Sequence, residues 1–253
     1  MCLILLAYLK HPEYPLIVAA NRDEFYSRGT LPAHWWPETP QLFAGKDLKA
    51  QGTWMGISRN GRFAAITNVR EPLRKRIAPL SRGKLPRNYL EAEISDQQFS
   101  HQLEQDKQLY QGYNLLYGTE KKLYYFSNRH CSIKSLAPGI YGLSNAQLDT
   151  PWPKVETARA LFRNELSSQT LTSERLLDIL SSPATYPDSQ LPDTGLSREW
   201  ERKLSAIRIT GQEYGTRSST ALLVKYDGEI TFHERTFPPG SPKDVRISFR
   251  AGK

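Results

Sequence analysis

Cys2 stands first among the few residues of this chain whose type and place could carry chemistry. Removal of Met1 would leave a thiol and a free α-amine on one carbon, so that nucleophile and base come as one unit. An α-amine titrates near 8, roughly two and a half units below lysine, so at neutral pH a useful fraction is free to take the thiol proton. The thiolate is the nucleophilic form, and a nearby cation favours it. Arg22 and Asp23, within Asn21-Arg22-Asp23-Glu24, supply the partners such a centre needs. The guanidinium would lower the thiol's pKa, and the carboxylate would hold or position the amine. Acyl transfer also needs donors aimed at the developing oxyanion, where side-chain amides serve. Asn68 and Asn145 are amides expected where strands run out. Taken singly, each residue has a plainer reading, as a packed thiol, a structural turn with a salt bridge, or turn asparagines. The combination, Cys at position 2 and a hairpin returning Arg and Asp to it, points to acyl chemistry.

The elements that must position these groups are mainly hairpins. Apolar runs at residues 2–9 and 16–20 flank the turn-rich Lys10-His11-Pro12-Glu13-Tyr14-Pro15 and read as a buried β-hairpin. Residues 28–49, rich in proline and aromatics (His34-Trp35-Trp36-Pro37) and without a period, read as an ordered surface loop. A second hairpin, 51–58 with 62–68, turns at Asn60-Gly61. A third, 113–119 with 122–128, turns at Glu120-Lys121, and a closing one, 218–226 with 229–237, turns at Asp227-Gly228. Residues 140–145 form a further strand. Helical patterns cover 85–110, a segment opened by Thr150-Pro151-Trp152-Pro153 and ending near Leu166, and 173–181 capped by Ser173. A polar, proline-containing stretch at 183–193 follows, and a basic tail after Pro238 is expected to be loose. Strand pairs at both ends with helices between them indicate an α+β layered fold rather than alternating βαβ units.

Composition narrows the function classes. At 253 residues with 39% apolar content the chain can bury a substantial core. Its net charge of +8 raises the question of an anionic partner. Arg70, Arg74, Lys75, Arg76, Arg82, Lys84 and Arg87, opposed only by Glu71, form a basic loop feeding a helix N-terminus. That arrangement suits an anionic group, with a solvated charged loop as the bland alternative. Nucleic acid is not indicated, because aromatic interleaving and a known binding module are absent. Two cysteines, Cys2 and Cys131, make no disulfide framework, and a thiol that must stay reduced fits a cytoplasmic setting. The first apolar run is too short to span a bilayer and has no basic region before it, so neither a signal peptide nor a membrane helix is expected. No His/Cys cluster at metal spacing, Gly-rich phosphate loop or G-x-S-x-G elbow occurs.

Seven short motifs add a resemblance. Met1-Cys2, Asn21-Arg22-Asp23-Glu24, Gly52-Thr53-Trp54-Met55-Gly56, Thr67-Asn68, Ser81-Arg82-Gly83, Leu143-Ser144-Asn145 and Tyr214-Gly215-Thr216-Arg217-Ser218-Ser219-Thr220 look like the pattern of the NRDE family, the family of transport and Golgi organisation protein 2. The match spans nearly the whole chain. That family in turn resembles N-terminal nucleophile hydrolases of the choloylglycine hydrolase and penicillin V acylase type. The resemblance implies one domain over residues 1–253, folded as a four-layer αββα sandwich. It implies Cys2 as nucleophile, Arg22 and Asp23 after the first hairpin, Asn68 on the oxyanion side, Asn145 as a second amide, and a later arginine, either Arg217 or Arg198. The early Arg and Asp are separated by two residues in those hydrolases but adjacent here. On a regular strand Arg22 and Asp23 point to opposite faces, so only one is expected to serve the pocket.

The activity implied is hydrolysis of a linear amide or related acyl bond, with no cofactor required. The alternative is non-catalytic carriage of haem or acyl-CoA in the same cleft. Either way the partner is a small anionic amphipathic molecule, its acid groups met by Arg70, Arg82 or Arg198. Of five histidines, His34 beside Trp35-Trp36 is the foremost candidate to ligate haem.

Overall fold

The chain opens as a strand that is apolar on both faces. In β1 (Cys2–Tyr8), Leu3, Leu5 and Ala7 enter one apolar cluster while Ile4, Leu6 and Tyr8 enter another. A strand covered on both sides needs a continuous apolar run rather than alternation. The computed structural model describes residues 2–71, 78–130, 132–237 and 242–252. Met1, Cys131 and, from the basic loop, Arg74, Lys75 and Arg76 lie outside the described residues.

Two antiparallel sheets follow from this start. In the first, β1 lies between β10 (Gly139–Leu143) and β2 (Leu16–Phe25), and the order continues through β11 (Tyr214–Val224), β12 (Glu229–Thr236) and β13 (Lys243–Arg250). The second runs in chain order from β3 (Thr30–Trp36), β4 (Thr39–Asp47), β5 (Met55–Ser58) and β6 (Phe63–Asn68) to β7 (Tyr113–Thr119), β8 (Lys122–Ser127) and β9 (Ser132–Ser135). Leu6, Val18, Leu222 and Phe232 of the first meet Phe43, Ile57, Phe63 and Leu116 of the second in one shared interior. The outer face of the first sheet is covered by α3 (Pro153–Leu166) and α4 (Ser173–Ile179), through Val155, Phe162 and Leu176. That of the second is covered by α1 (Lys84–Glu91) and α2 (Asp96–Asp106), through Leu85, Tyr89 and Phe99. The layers are therefore αββα, as the family resemblance implied. A short helix, α5 (Arg198–Lys203), follows the polar stretch.

Several elements differ from the sequence reading. Residues 28–49 are not a loop: β3 and β4 pair there, and register shifts at Leu31/His34 and Trp35/Trp36 break the alternation that would have revealed them. Pro32 is tolerated because β3 is an edge strand, where a missing N–H costs the ladder nothing. The expected loose tail includes β13, which pairs with β12 over eight residues. Its Val245, Ile247 and Phe249 pack on the shared interior. The helical region 85–110 is interrupted between Glu91 and Asp96, where Ser95 and Gln98 form a reciprocal capping box that starts α2 afresh. The expected tight turns at Asn60-Gly61 and Asp227-Gly228 are present, with glycine φ of 81° and 84°.

The packing of β13 yields a direct test. Phe249 lies edge-on to Trp35 with ring centroids 5.1 Å apart. Phe249→Ala should lower unfolding stability by about 2 kcal/mol, less than the roughly 3–5 kcal/mol of a fully buried aromatic because the ring is only partly buried. Urea denaturation checks this, and a loose tail would give no change.

Candidate active site

Cys2 and Arg22 are direct cross-strand partners in β1 and β2. Both therefore point between the sheets, one residue beyond the apolar rows that end at Ile4 and Ala20. Arg22 is 5% exposed. A guanidinium this deep needs partners, and three surround it. Nη2 lies 3.4 Å from Asp47 Oδ2, Nη1 donates to Thr30 Oγ1 at 3.1 Å, and the guanidinium stacks over the Trp54 ring at 4.2 Å. Arg28 also donates to Asp47 Oδ2, while the Lys49 and Ala50 N–H groups hold Oδ1. Burial alone would raise the Asp47 carboxyl, but Arg28 and the Ala50 N–H outweigh it and keep it below the usual carboxylate range.

Asp23 occupies the opposite face of the same strand. Thr216 Oγ1 donates to its Oδ1 at 2.6 Å. The pairing of β2 with β1 is regular here, and the register shift between Thr216 and Ser218 lies on β11. Burial raises the Asp23 carboxyl, with Lys154 and then the Thr216 hydroxyl opposing that rise. Lys154, itself buried in the first turn of α3, is pushed down to about 8 by burial and donates to the Leu204 carbonyl at 2.9 Å. Adjacent Asn21 is scaffold: its amide donates to the Leu180 and Ile207 carbonyls and its oxygen accepts from Ser219.

These groups border a cleft of about 110 Å³ whose lining includes Cys2, Arg22, Asp23, Glu24, Asn68 and Arg82. Its far wall is the entry to α1, held by a close backbone approach. A Cβ added to Gly52 would meet the Gly83 carbonyl at 2.4 Å, and the Thr53 N–H donates to that oxygen at 3.0 Å. Arg82 donates to the Gly112 carbonyl at 3.0 Å while lining the cleft. The Cys2 thiol is pushed up by burial. Arg22 lowers it and Asp23 raises it further through charge, while the Asp23 N–H favours the thiolate. Burial wins, so the sulfur needs a base to become a nucleophile.

Other candidates sit elsewhere. The Asn145 amide is fully buried and donates to the Asn68 carbonyl at 2.9 Å, so it positions Asn68 rather than facing the cleft. Ser144 likewise anchors the end of β1 by donating to the Cys2 carbonyl at 3.0 Å. Arg217, the residue at the β11 register shift, donates to the carbonyls of Phe25, Tyr26 and Arg28 and does not line this cleft. Arg70 pairs with Glu201 at 2.5 Å and lies over Trp152, and Arg198 is exposed on α5. His34 bonds its Nδ1 to the Pro32 carbonyl and stacks against Trp36, outside the cleft. Among the described residues no group of His, Cys, Asp and Glu is arranged to hold a metal ion. Asp47 and Lys154 carried no signal in the sequence, whereas Trp54 and Gly83 stood within motifs already noted.

Comparison with known proteins places this geometry. The family model for transport and Golgi organisation 2 matches residues 1–239. The chain belongs to that family. The bovine transport and Golgi organization protein 2 homolog is 35% identical over 263 residues, covering 96% of this chain and 95% of that protein. The human homolog is 35% identical over 257 residues, covering 93% of each. The Drosophila melanogaster protein is 26% identical, over 93% of this chain and 92% of its own. Among solved structures, a Caenorhabditis elegans N-acylethanolamine-hydrolyzing acid amidase ortholog superimposes with a TM-score of 0.53 at 12% identity, over 88% of this chain and 92% of that one. The likeness shows that the two chains share the αββα fold.

Asp47 is the residue on which the buried guanidinium depends. Asp47→Asn should cost about 3 kcal/mol near neutral pH, because it removes the carboxylate in direct contact with the buried Arg22. A carboxyl whose folded pKa is depressed stabilises above its unfolded value near 4 and loses that contribution as pH falls through the folded value. The gap between variant and parent in urea denaturation should therefore close below about pH 4.

Proposed function

We propose that this chain is a cysteine hydrolase of a linear amide or related acyl bond, with Cys2 as N-terminal nucleophile after loss of Met1. The observation that carries the reading is the pairing of Cys2 with Arg22 at the mouth of a polar cleft that Asn68 also lines. The α-amine takes the thiol proton as sulfur attacks the carbonyl carbon. The resulting oxyanion is met by the Asn68 amide, a contribution worth about 10²–10³ in rate for one donor of this kind. Collapse breaks the carbon–nitrogen bond, and the ammonium returns its proton to the departing amine. Water then adds to the thioester with the same amine as base, releasing the acid and restoring the thiol. Arg22 stabilises negative charge on sulfur, and Asp23 supports the ammonium from the other face of the sheet. A reduced thiol suits a cytoplasmic setting. An anionic portion of the substrate would meet Arg82.

One feature favours a second reading. Because burial raises the Cys2 thiol, a chain that kept Met1 would have a neutral, inert sulfur. The reading would then be a non-catalytic carrier of acyl-CoA or haem, of which a cleft of about 110 Å³ could enclose only an anionic end, and a haem would need a ligand other than His34.

Intact mass and a thiol-reactive acyl probe separate the two. The purified protein should lack Met1 and acylate at Cys2, at a rate that rises with pH until the amine is free near 8. Acylation should vanish in Cys2→Ala and fall about 10²–10³-fold in Asn68→Ala. Retained Met1, or labelling no faster at Cys2 than in Cys2→Ala, would overturn the hydrolase.

A further inference from the structure

Beside the cleft lies a second cavity of about 200 Å³, between β3 and the β11–β12 strands. Arg22 and Trp54 line both spaces, so the two spaces meet along their stacked pair. The two spaces differ in chemistry. The first cleft is polar and carries Arg28 and Arg82. The second cavity opens at the sheet edge and is walled by the exposed Leu31 and Pro32 and by the Trp54 ring, with the hydroxyl residues Thr30, Ser218 and Thr236 and, the most buried of its lining, Glu234. Glu234 is 1% exposed, and its Oε1 accepts from the Ala33 N–H at 2.7 Å.

The cations around this carboxyl are committed elsewhere. Arg22 is bound to Asp47 and Thr30, Arg217 to three carbonyls, and Lys243 is exposed at the cavity edge. Burial consequently pushes Glu234 up to about 7. The Ala33 N–H and the Ser218 and Thr220 hydroxyls oppose that rise, so the carboxyl ties β3 to β11 as well as lining the cavity. In a lined cavity it can also hydrogen-bond a ligand.

We propose that the two cavities form one bipartite substrate site, in which the acyl half lies beneath Trp54 and ends in a hydroxyl or amide hydrogen-bonded to Glu234. The leaving half then occupies the first cleft beside Arg82. This division rests on the Cys2 reading and follows from the order of events. The acyl half stays on sulfur as the thioester while the leaving half must depart, and the first cleft is the polar space Cys2 itself lines. A volume of 200 Å³ is below the roughly 300–1,000 Å³ of sites for drug-sized ligands, so the acyl group is short.

Calorimetric titration of the Cys2→Ala protein with 6-hydroxyhexanamide and with hexanamide tests the cavity apart from catalysis. The hydroxylated amide should bind about tenfold more tightly, the value of one net hydrogen bond. That preference should persist with Glu234→Gln added and disappear with Glu234→Leu. Filling the space by Leu31→Trp should abolish binding of both amides, which keeps the test decisive should the Glu234→Leu protein fail to fold. Equal affinities, a preference that survives Glu234→Leu, unaltered binding in Leu31→Trp, or no binding of either amide at millimolar concentration would each overturn the proposal. Because the nucleophile is absent throughout, none of these results depends on whether Cys2 is acylated, which the preceding experiment decides separately.

Discussion

A guanidinium moved out of water must be paired, and the open end of this sandwich is built around satisfying that demand for Arg22. Its partners come from separate parts of the second sheet: Thr30 from β3, Asp47 from the end of β4, and Trp54 from the segment leading into β5. Arg22 itself belongs to the first sheet, so the cluster ties the two sheets together where their apolar interior runs out. Asp47 also serves Arg28, so two cations share one carboxylate. Buried ion pairs contribute little net stability relative to apolar packing, yet breaking one is costly. The value of this one lies in holding a fixed positive group across from the Cys2 sulfur.

Opposed effects at that sulfur can be ranked. Arg22 and the Asp23 N–H favour the thiolate, while burial and the Asp23 charge oppose it, and burial is the largest. The cleft thus supplies a place for negative charge without creating the charge beforehand. Chemistry at Cys2 would need a proton acceptor within reach, and the residue's own amine is the one that requires no further side chain.

Legibility in the sequence followed the physics of each signal. The β1–β2 hairpin was plain because strands covered on both faces leave continuous apolar runs, and the Asn60-Gly61 and Asp227-Gly228 turns because φ > 0 restricts residue choice. β3 and β4 were hidden, since prolines and two register shifts erase a period of two. β13 was hidden because its outward residues Asp244, Arg246, Ser248 and Arg250 make an exposed edge look like a solvated tail. At the site, the motifs marked Cys2, Arg22, Asp23 and Asn68, which line one cleft. They also marked Asn145 and Arg217, which bind backbone carbonyls instead. A motif records that a position is constrained, and only three-dimensional placement distinguishes a group that meets a ligand from one that holds the wall. Lys154 and Glu234 gave no sign, because a lone charged residue carries no pattern and its burial depends on distant elements.

The adjacency of Arg22 and Asp23 then has a geometric sense. A side chain on the first residue of a strand projects to one face of the sheet, whereas its backbone nitrogen lies in the plane. Two consecutive residues on the neighbouring strand, one on each face, therefore bracket that nitrogen. Arg22 stands on the sulfur's side, backed by Asp47, and Asp23 stands on the helix side, backed by Thr216 and Lys154. Splitting them across the sheet gives each its own partners, Asp47 and Thr30 for Arg22 and Thr216 for Asp23, and the backbone of Cys2 lies beside the strand that carries both.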